Sequence, residues 1–321
     1  MKRLFLAAAL LFPQPTFGQM YLGLARGGAC NGCVSSAGYQ TMSAPTGYSS
    51  SALVFEDTFG ASTLNSSNWN PWMGNRAFGR WGDGGNLANP YSAVGNGGGN
   101  NLDYGDPYSA GYGVQTSGTH MLTGSQQTGT NITPNNGIQL TCTKSTYFAA
   151  LSYQVACAYI NSLNKFTLPS GGFYVQVRAK MPDMTTGEWP SIWLLDDTTG
   201  GNELDLFEGG YYKSGVPYNQ VMASNVHTSG NSQKIVDTGV DLTAGYHIYG
   251  LKYIPGVSVT TYLDGVQIAN FTSNIPSLAY DLIISNTFAS SATSGWHSPP
   301  NLASYPGPFN MYVNDVQVYH N

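Results

Sequence analysis

From Ile138 onward, short runs of apolar and β-branched residues recur, separated by Gly, Asn, Ser and Pro, and they predict strands rather than helices. The runs are Ile138–Thr143, Tyr153–Ile160, Phe173–Arg178, Ser191–Leu195, Glu203–Phe207, Gln220–Val226, Tyr246–Tyr253, Val257–Leu263, Leu282–Ser285 and Met311–Tyr319. Val257–Leu263 ends in Asp264-Gly265, a hairpin-turn dipeptide. No amphipathic helical period and no internal repeat is present. The pattern predicts one all-β domain, a sandwich or barrel, over residues 51–321, starting at Ala52-Leu53-Val54-Phe55.

Two segments lack this pattern. Residues 19–50 are rich in Gly, Ser and Ala and read as an N-terminal arm. The stretch from Trp69 to His120 is Gly- and Asn-rich with few aliphatics, and a loop of that length inside a domain is usually functional or disordered. Its aromatics, Trp69, Trp72, Trp81, Tyr91, Tyr104, Tyr108 and Tyr112, are expected to wall a binding cleft. Trp296, with Trp81, is a loop candidate for the same role.

Composition agrees with the pattern. The 321 residues include 40 Gly and 22 Tyr, and only 9% are charged. The net charge of −5 has no basic block behind it, so neither nucleic acid nor an anionic membrane is an expected partner. At the N terminus, Lys2-Arg3, the apolar Leu4–Phe12 and the small residues Thr16 and Gly18 form a secretory signal over 1–18. Export makes disulfides feasible for Cys30, Cys33, Cys142 and Cys157, with three connectivities open. Cys142 and Cys157 sit evenly about Ala149-Ala150, so a cross-hairpin bridge is favoured.

Against this low charge, Glu203-Leu204-Asp205-Leu206-Phe207-Glu208 is conspicuous, because it holds two of the chain's four glutamates with an aspartate between them. Clustered acids repel, so one holds its proton to higher pH, which suits general acid/base chemistry. In a regular strand Glu203 and Asp205 share a face and Glu208 points the other way. One extra residue between Asp205 and Glu208, a β-bulge, would return all three to one face. Even so, Glu203 and Glu208 would be on the order of 13 Å apart at Cα. Their carboxyls would converge toward the roughly 5–5.5 Å of a retaining glycosidase only on a bent strand. The alternative reading is an acidic strand edge.

With these residues the chain resembles glycoside hydrolase family 16 in its laminarinase-type branch, whose hallmark is a bulged Glu-x-Asp-x-x-Glu. Gly187-Glu188-Trp189-Pro190-Ser191-Ile192-Trp193-Leu194-Leu195 is similar to that family's Gly-x-Trp-Pro-Ala-x-Trp run. Gly172–Pro182, Tyr246–Leu251, Tyr262–Gly265 and Met311–Tyr319 carry further likeness, so the resemblance covers residues 52–321. It implies a concanavalin-like β-jelly-roll sandwich with an open concave cleft. It further implies Glu203 as nucleophile, Glu208 as acid/base and Asp205 orienting the nucleophile. Trp189 and Trp193 would be cleft aromatics, with core packing the alternative, above all for Trp193. His227 matches a histidine near the family's acid/base, with a hydrogen-bonded histidine lining the fold as the alternative.

The chain departs from the family at Val175-Gln176, where relatives often have a glutamate before the arginine. It departs again at Asn314, where many have an aspartate that helps hold a structural calcium. No cofactor is expected to be required, and Asn314 weakens the case for calcium. The resemblance implies a secreted, monomeric endo-glycosidase acting on a polysaccharide, with a β-1,3- or β-1,3/1,4-glucan favoured. A galactan-cleaving enzyme, a transglycosylase and a non-catalytic sugar-binding module are the other readings. A sulfated polymer would call for cationic side chains along the cleft. Arg76, Arg80 and Lys213 are few beside the tryptophans and tyrosines.

Overall fold

The computed structural model describes residues 42–59, 64–69, 113–114, 137–144, 155–156, 159–196, 201–288, 298–299 and 307–321. These residues all belong to one unit spanning Asn31–Asn321. Their strands are β1 (Leu53–Asp57), β2 (Gly113–Val114), β3 (Ile138–Lys144), β4 (Val155–Ala156) and β5 (Tyr159–Asn161). Next come β6 (Phe173–Lys180), β7 (Glu188–Asp196), β8 (Glu203–Glu208), β9 (Val221–His227) and β10 (Asn231–Asp237). The last are β11 (His247–Ile254), β12 (Ser258–Leu263), β13 (Val266–Phe271), β14 (Tyr280–Phe288) and β15 (Phe309–His320).

They form two sheets, as the sequence pattern leads one to expect. One runs β13-β12-β11-β6-β15-β3-β4-β2 with β1 added on β15, and the other runs β10-β9-β8-β7-β14-β5. All pairings between these strands are antiparallel except the two-residue β2–β4 contact. Alternation along each strand supplies the shared core. Phe173, Val175, Val177 and Ala179 of β6 point inward from the larger sheet, and Ile192 and Leu194 of β7 from the smaller. The hairpin from β12 to β13 turns on Asp264 and Gly265, both at positive φ, as its dipeptide leads one to expect.

Several features depart from the sequence reading. Trp69 does not wall a cleft. It is fully buried, donates Nε1 to Asp57 Oδ2 at 2.9 Å, and packs against Phe55, Phe59 and Phe166. Residues 42–48, within the segment read as an arm, lie on the outer face of the larger sheet. There Gln176 Nε2 donates to the Ser43 carbonyl (2.9 Å) and Gln317 Nε2 to the Met42 carbonyl (3.2 Å). Gln176 thus ties this segment to the sheet and also bonds Gln317 Oε1 at 2.7 Å.

β15 breaks strict alternation. Met311 and Val313 point into the core, and so do Val316 and Val318, so the inward parity changes at a register shift between Val313 and Asp315. The shift lets two consecutive side chains meet Arg178, which is fully buried. Its Nε donates to Asn314 Oδ1 at 2.6 Å, and its Nη2 lies 3.7 Å from Asp315 Oδ2. The Asn314 oxygen therefore serves a guanidinium. It does not fit the calcium-holding role of the family's aspartate, and the positive charge beside it disfavours a cation there.

Glu188, at the start of β7, is another buried acid. It accepts a hydrogen bond from Thr186 Oγ1 at 3.1 Å, and burial pushes its carboxyl up to about 9. The folded protein then holds a proton that the unfolded chain releases above about pH 4.3. Stability is full below that pH and falls by about 1.4 kcal/mol per pH unit as pH rises toward about 9. Glu188→Gln should remove this share of the slope and stabilise the protein most at the alkaline end. Urea unfolding at several pH values between 5 and 9 measures it, and an unchanged slope would refute it.

Candidate active site

The three acids of β8 reach one face by the expected device. Asp205 pairs with Asn225 and Glu208 with Ala223, so three steps on β8 oppose two on β9. Against β7 the same shift appears between Trp193↔Asp205 and Ile192↔Phe207. Leu206 is the extra residue, and Leu204, Leu206 and Phe207 all enter the core. Ser224, lying between Asn225 and Ala223, donates its hydroxyl to the Leu206 carbonyl at 3.0 Å. The backbone group displaced by the bulge is thereby satisfied. Gly209 follows at once, where a Cβ would collide with Met184 Sδ and Pro190.

Glu203, Asp205 and Glu208 thus share the outer face of the smaller sheet, each no more than 3% exposed. Asp205 lies between Glu203 and Glu208 on β8, and both neighbours act on its carboxyl, so the three form a row. Glu208 also receives Trp189 Nε1 on Oε1 (3.0 Å), and Tyr211 Oη (3.0 Å) and Asn225 Nδ2 on Oε2. Trp193 donates Nε1 to Ser285 Oγ at 3.2 Å. With Ser191 and Thr287 these residues line a recess over Asp205 and Glu208.

Burial is the largest influence on both central acids. It raises Asp205 well above the usual carboxyl range, and the Glu208 charge raises it further, against hydrogen bonds from Asn225 and Glu203. Glu208 is raised by burial too, while nearby His227 and the donors Tyr211, Trp189 and Asn225 oppose the rise. Burial and the adjacent carboxylates push the Tyr211 phenol well up, so it stays a neutral donor. A proton can therefore be held in this row near neutral pH and passed to a bound molecule.

Trp189 and Trp193 both lie at the acids, and Trp193 also packs into the core, so its two alternatives coincide. His227 reaches Asp205 Oδ2 at 3.2 Å and Glu203 Oε1 at 3.8 Å. It stands opposite Glu203 on β9, at the far end of the row from Glu208. Trp81 and Trp296 lie outside the described residues, as do Trp72, Tyr91, Tyr104, Tyr108 and Tyr112. His247 lies away from the acids, on the larger sheet, bound to Asp264 at 2.7 Å. Glu203, Asp205 and His227 place ligand-capable atoms within 4.8 Å of one another, a spacing that a divalent cation could use. The same groups form a proton-handling set without one.

Sequence reasoning missed Tyr211, Asn225, Ser285 and Thr287. Asn225 could have been found by registering the β8–β9 hairpin with the bulge included. Tyr211 lies beyond Gly209-Gly210, where strand alternation has ended and leaves no signal.

The family model for glycosyl hydrolases family 16 matches residues 118–301. A search of the curated proteins found no match. Among solved structures, the laminarinase catalytic domain from Thermotoga maritima superposes with TM-score 0.57 at 17% identity, covering 84% of this chain and 98% of that one. SCLam, a non-specific endo-β-1,3(4)-glucanase, gives 0.59 at 17%, covering 90% and 97%. The endo-β-1,3-glucanase from Pyrococcus furiosus gives 0.56 at 17%, covering 83% and 93%. At such identities the superpositions show the fold, a jelly-roll sandwich. The family match spans more than half of the sequence, and the chain belongs to the glycosyl hydrolases family 16.

Proposed function

We propose that this glycoside hydrolase is a secreted, monomeric endo-glycosidase that cleaves internal linkages of a β-1,3- or β-1,3/1,4-glucan with retention of configuration. The observation that carries the reading is the bulged β8, which lines up three buried acids on one face. The glucan follows from what the structural neighbours are named for, and from the indoles beside the acids. Indole faces stack on the apolar faces of uncharged sugars.

In the first step the Glu203 carboxylate attacks the anomeric carbon. The glycosidic C–O bond breaks, and Glu208 gives its proton to the departing oxygen. In the second step Glu208 takes a proton from water as the water oxygen bonds to the anomeric carbon, and Glu203 leaves. Asp205, between the two, orients Glu203 and holds the proton that three adjacent carboxylates cannot all lose. Trp189 and Trp193 bear on the sugar, and His227 steadies the Glu203–Asp205 end. No step needs a cofactor.

The proposal extends to the exported chain. The β3–β4 register pairs Thr143 with Ala156 and Lys144 with Val155. That antiparallel register supports a Cys142–Cys157 bridge, although Cys157 lies outside the described residues. Non-reducing peptide mapping should find the two linked, and a Cys142 link to Cys30 or Cys33 would refute it.

Reducing-end release from laminarin, mixed-linkage β-glucan, agarose and κ-carrageenan, assayed side by side, tests the substrate. Cleavage of a glucan is expected, and cleavage of carrageenan alone would contradict the assignment.

Tyr211→Phe probes the acid/base. The phenol stabilises the Glu208 carboxylate, so its loss should raise the Glu208 pKa and keep the acid protonated to higher pH. A hydrogen bond to a charged group contributes roughly 1.5–3 kcal/mol, which corresponds to about one pH unit or more. The alkaline limb of kcat/KM should therefore move up by about one unit. An unmoved limb would show that Tyr211 only packs.

A further inference from the structure

The outer face of the larger sheet carries a groove of about 540 Å³, on the opposite side of the sandwich from the acids. Residues 43–48 form one wall, and β11 and β12 form the other. Its floor holds three tyrosines in a row. Tyr174 lies between Tyr48 and Tyr262, with ring centroids 5.5 and 5.6 Å away. Tyr174 is 6% exposed, and its hydroxyl has no hydrogen-bond partner among the described residues. That ring can lie across the sheet only because residue 250 is glycine, since a Cβ there would collide with the Tyr174 hydroxyl.

The polar groups around the tyrosines are few and balanced. Lys252 sets its ammonium 5.6 Å from the Tyr48 centroid. Asp264, at the end of the β12–β13 hairpin, is held by the Ile248 amide (2.8 Å) and by His247. Gln176 adds an amide, and Ile248 and Val266 add apolar surface. An anionic polymer would meet the Asp264 charge with one lysine to offset it, and an apolar peptide would leave the Tyr174 hydroxyl buried without a partner. A neutral, hydroxyl-rich chain suits both, because sugar hydroxyls pair with the phenols, amide and carboxylate while aromatic surface covers C–H faces. The volume is in the range of small-molecule sites.

We infer that this groove is a second, non-catalytic binding site for a neutral oligosaccharide segment, which holds the enzyme on its polysaccharide while the opposite face cleaves. The inference rests on the glucan reading above. A second contact with the same polymer raises the effective concentration of chain near the cleft.

The test is calorimetric titration of laminarihexaose and of a mixed-linkage glucan hexasaccharide into Glu203→Gln, which binds without turnover. Two ligands per chain are expected, falling to one in Glu203→Gln combined with Tyr262→Ala. Tyr174→Phe keeps the ring and removes the hydroxyl, and should weaken the second site about threefold to tenfold. It serves as the readout should Tyr262→Ala fail to fold. In the active enzyme, Tyr262→Ala should leave turnover of hexasaccharide unchanged and slow release from insoluble glucan particles several-fold. One ligand per chain, insensitive to Tyr262→Ala and Tyr174→Phe, would overturn the groove and leave the glucan reading standing. No binding of either hexasaccharide would overturn the glucan reading and the groove with it.

Discussion

Glu203→Ala and Glu208→Ala are each expected to lower kcat by about four orders of magnitude or more, with the unfolding transition preserved. Both steps of a double displacement use both carboxyls, and proton transfer alone contributes roughly 10²–10⁴-fold. Folding should survive because a row of adjacent acids is a site of repulsion and buried charge. Removing one relieves its neighbours, as the upward shift of Asp205 caused by Glu208 indicates. The two variants should differ in rescue. Azide can replace the missing Glu203 carboxylate and should restore turnover in Glu203→Ala, giving a glycosyl azide of inverted configuration. In Glu208→Ala the nucleophile remains, so azide can only intercept the glycosyl-enzyme, giving a product of retained configuration. Near-normal turnover in folded Glu208→Ala would remove the acid/base assignment.

The largest effect on stability is expected at Arg178, far from the acids. Arg178→Met keeps most of the side chain's length but strips Asp315 of its charge partner in a fully buried setting. Leaving one member of a buried ion pair uncompensated costs about 3–5 kcal/mol. Asp315 also accepts the Met42 amide at 3.2 Å, so the N-terminal segment should loosen with it. Arg178→Met combined with Asp315→Leu should recover much of the loss, because no buried charge then remains. Urea unfolding of the three proteins decides it. A loss below about 1 kcal/mol in Arg178→Met would place the pair among solvent-screened ion pairs.

The parts legible in the sequence were those with a period or a parity. Alternating runs located β6, β9, β11, β12 and β15, and the odd spacing of Glu208 from Glu203 and Asp205 required the bulge. What escaped has neither. Asn231–Asp237 and Val266–Phe271 are sheet-edge strands with mostly exposed or half-buried side chains, so they show no apolar alternation. Residues 42–48 join the fold partly through the backbone carbonyls of Met42 and Ser43, which carry no side-chain signature. Trp69 sits in a Gly- and Asn-rich stretch, and its place in the core depends on Asp57 and on Phe166, the latter distant in sequence. Arg178 closes the run Phe173–Arg178, and its partners Asn314 and Asp315 are brought to it only by the register shift in β15.

The anomeric form of the first product tests the central claim most directly. Proton NMR of a mixed-linkage or β-1,3-glucan digest, followed from the first minutes, resolves new reducing ends before mutarotation. A double displacement through Glu203 predicts that β-anomer accumulates first and α-anomer follows by mutarotation. Initial α-anomer would mean single-step inversion and would contradict the assignment of Glu203 as nucleophile.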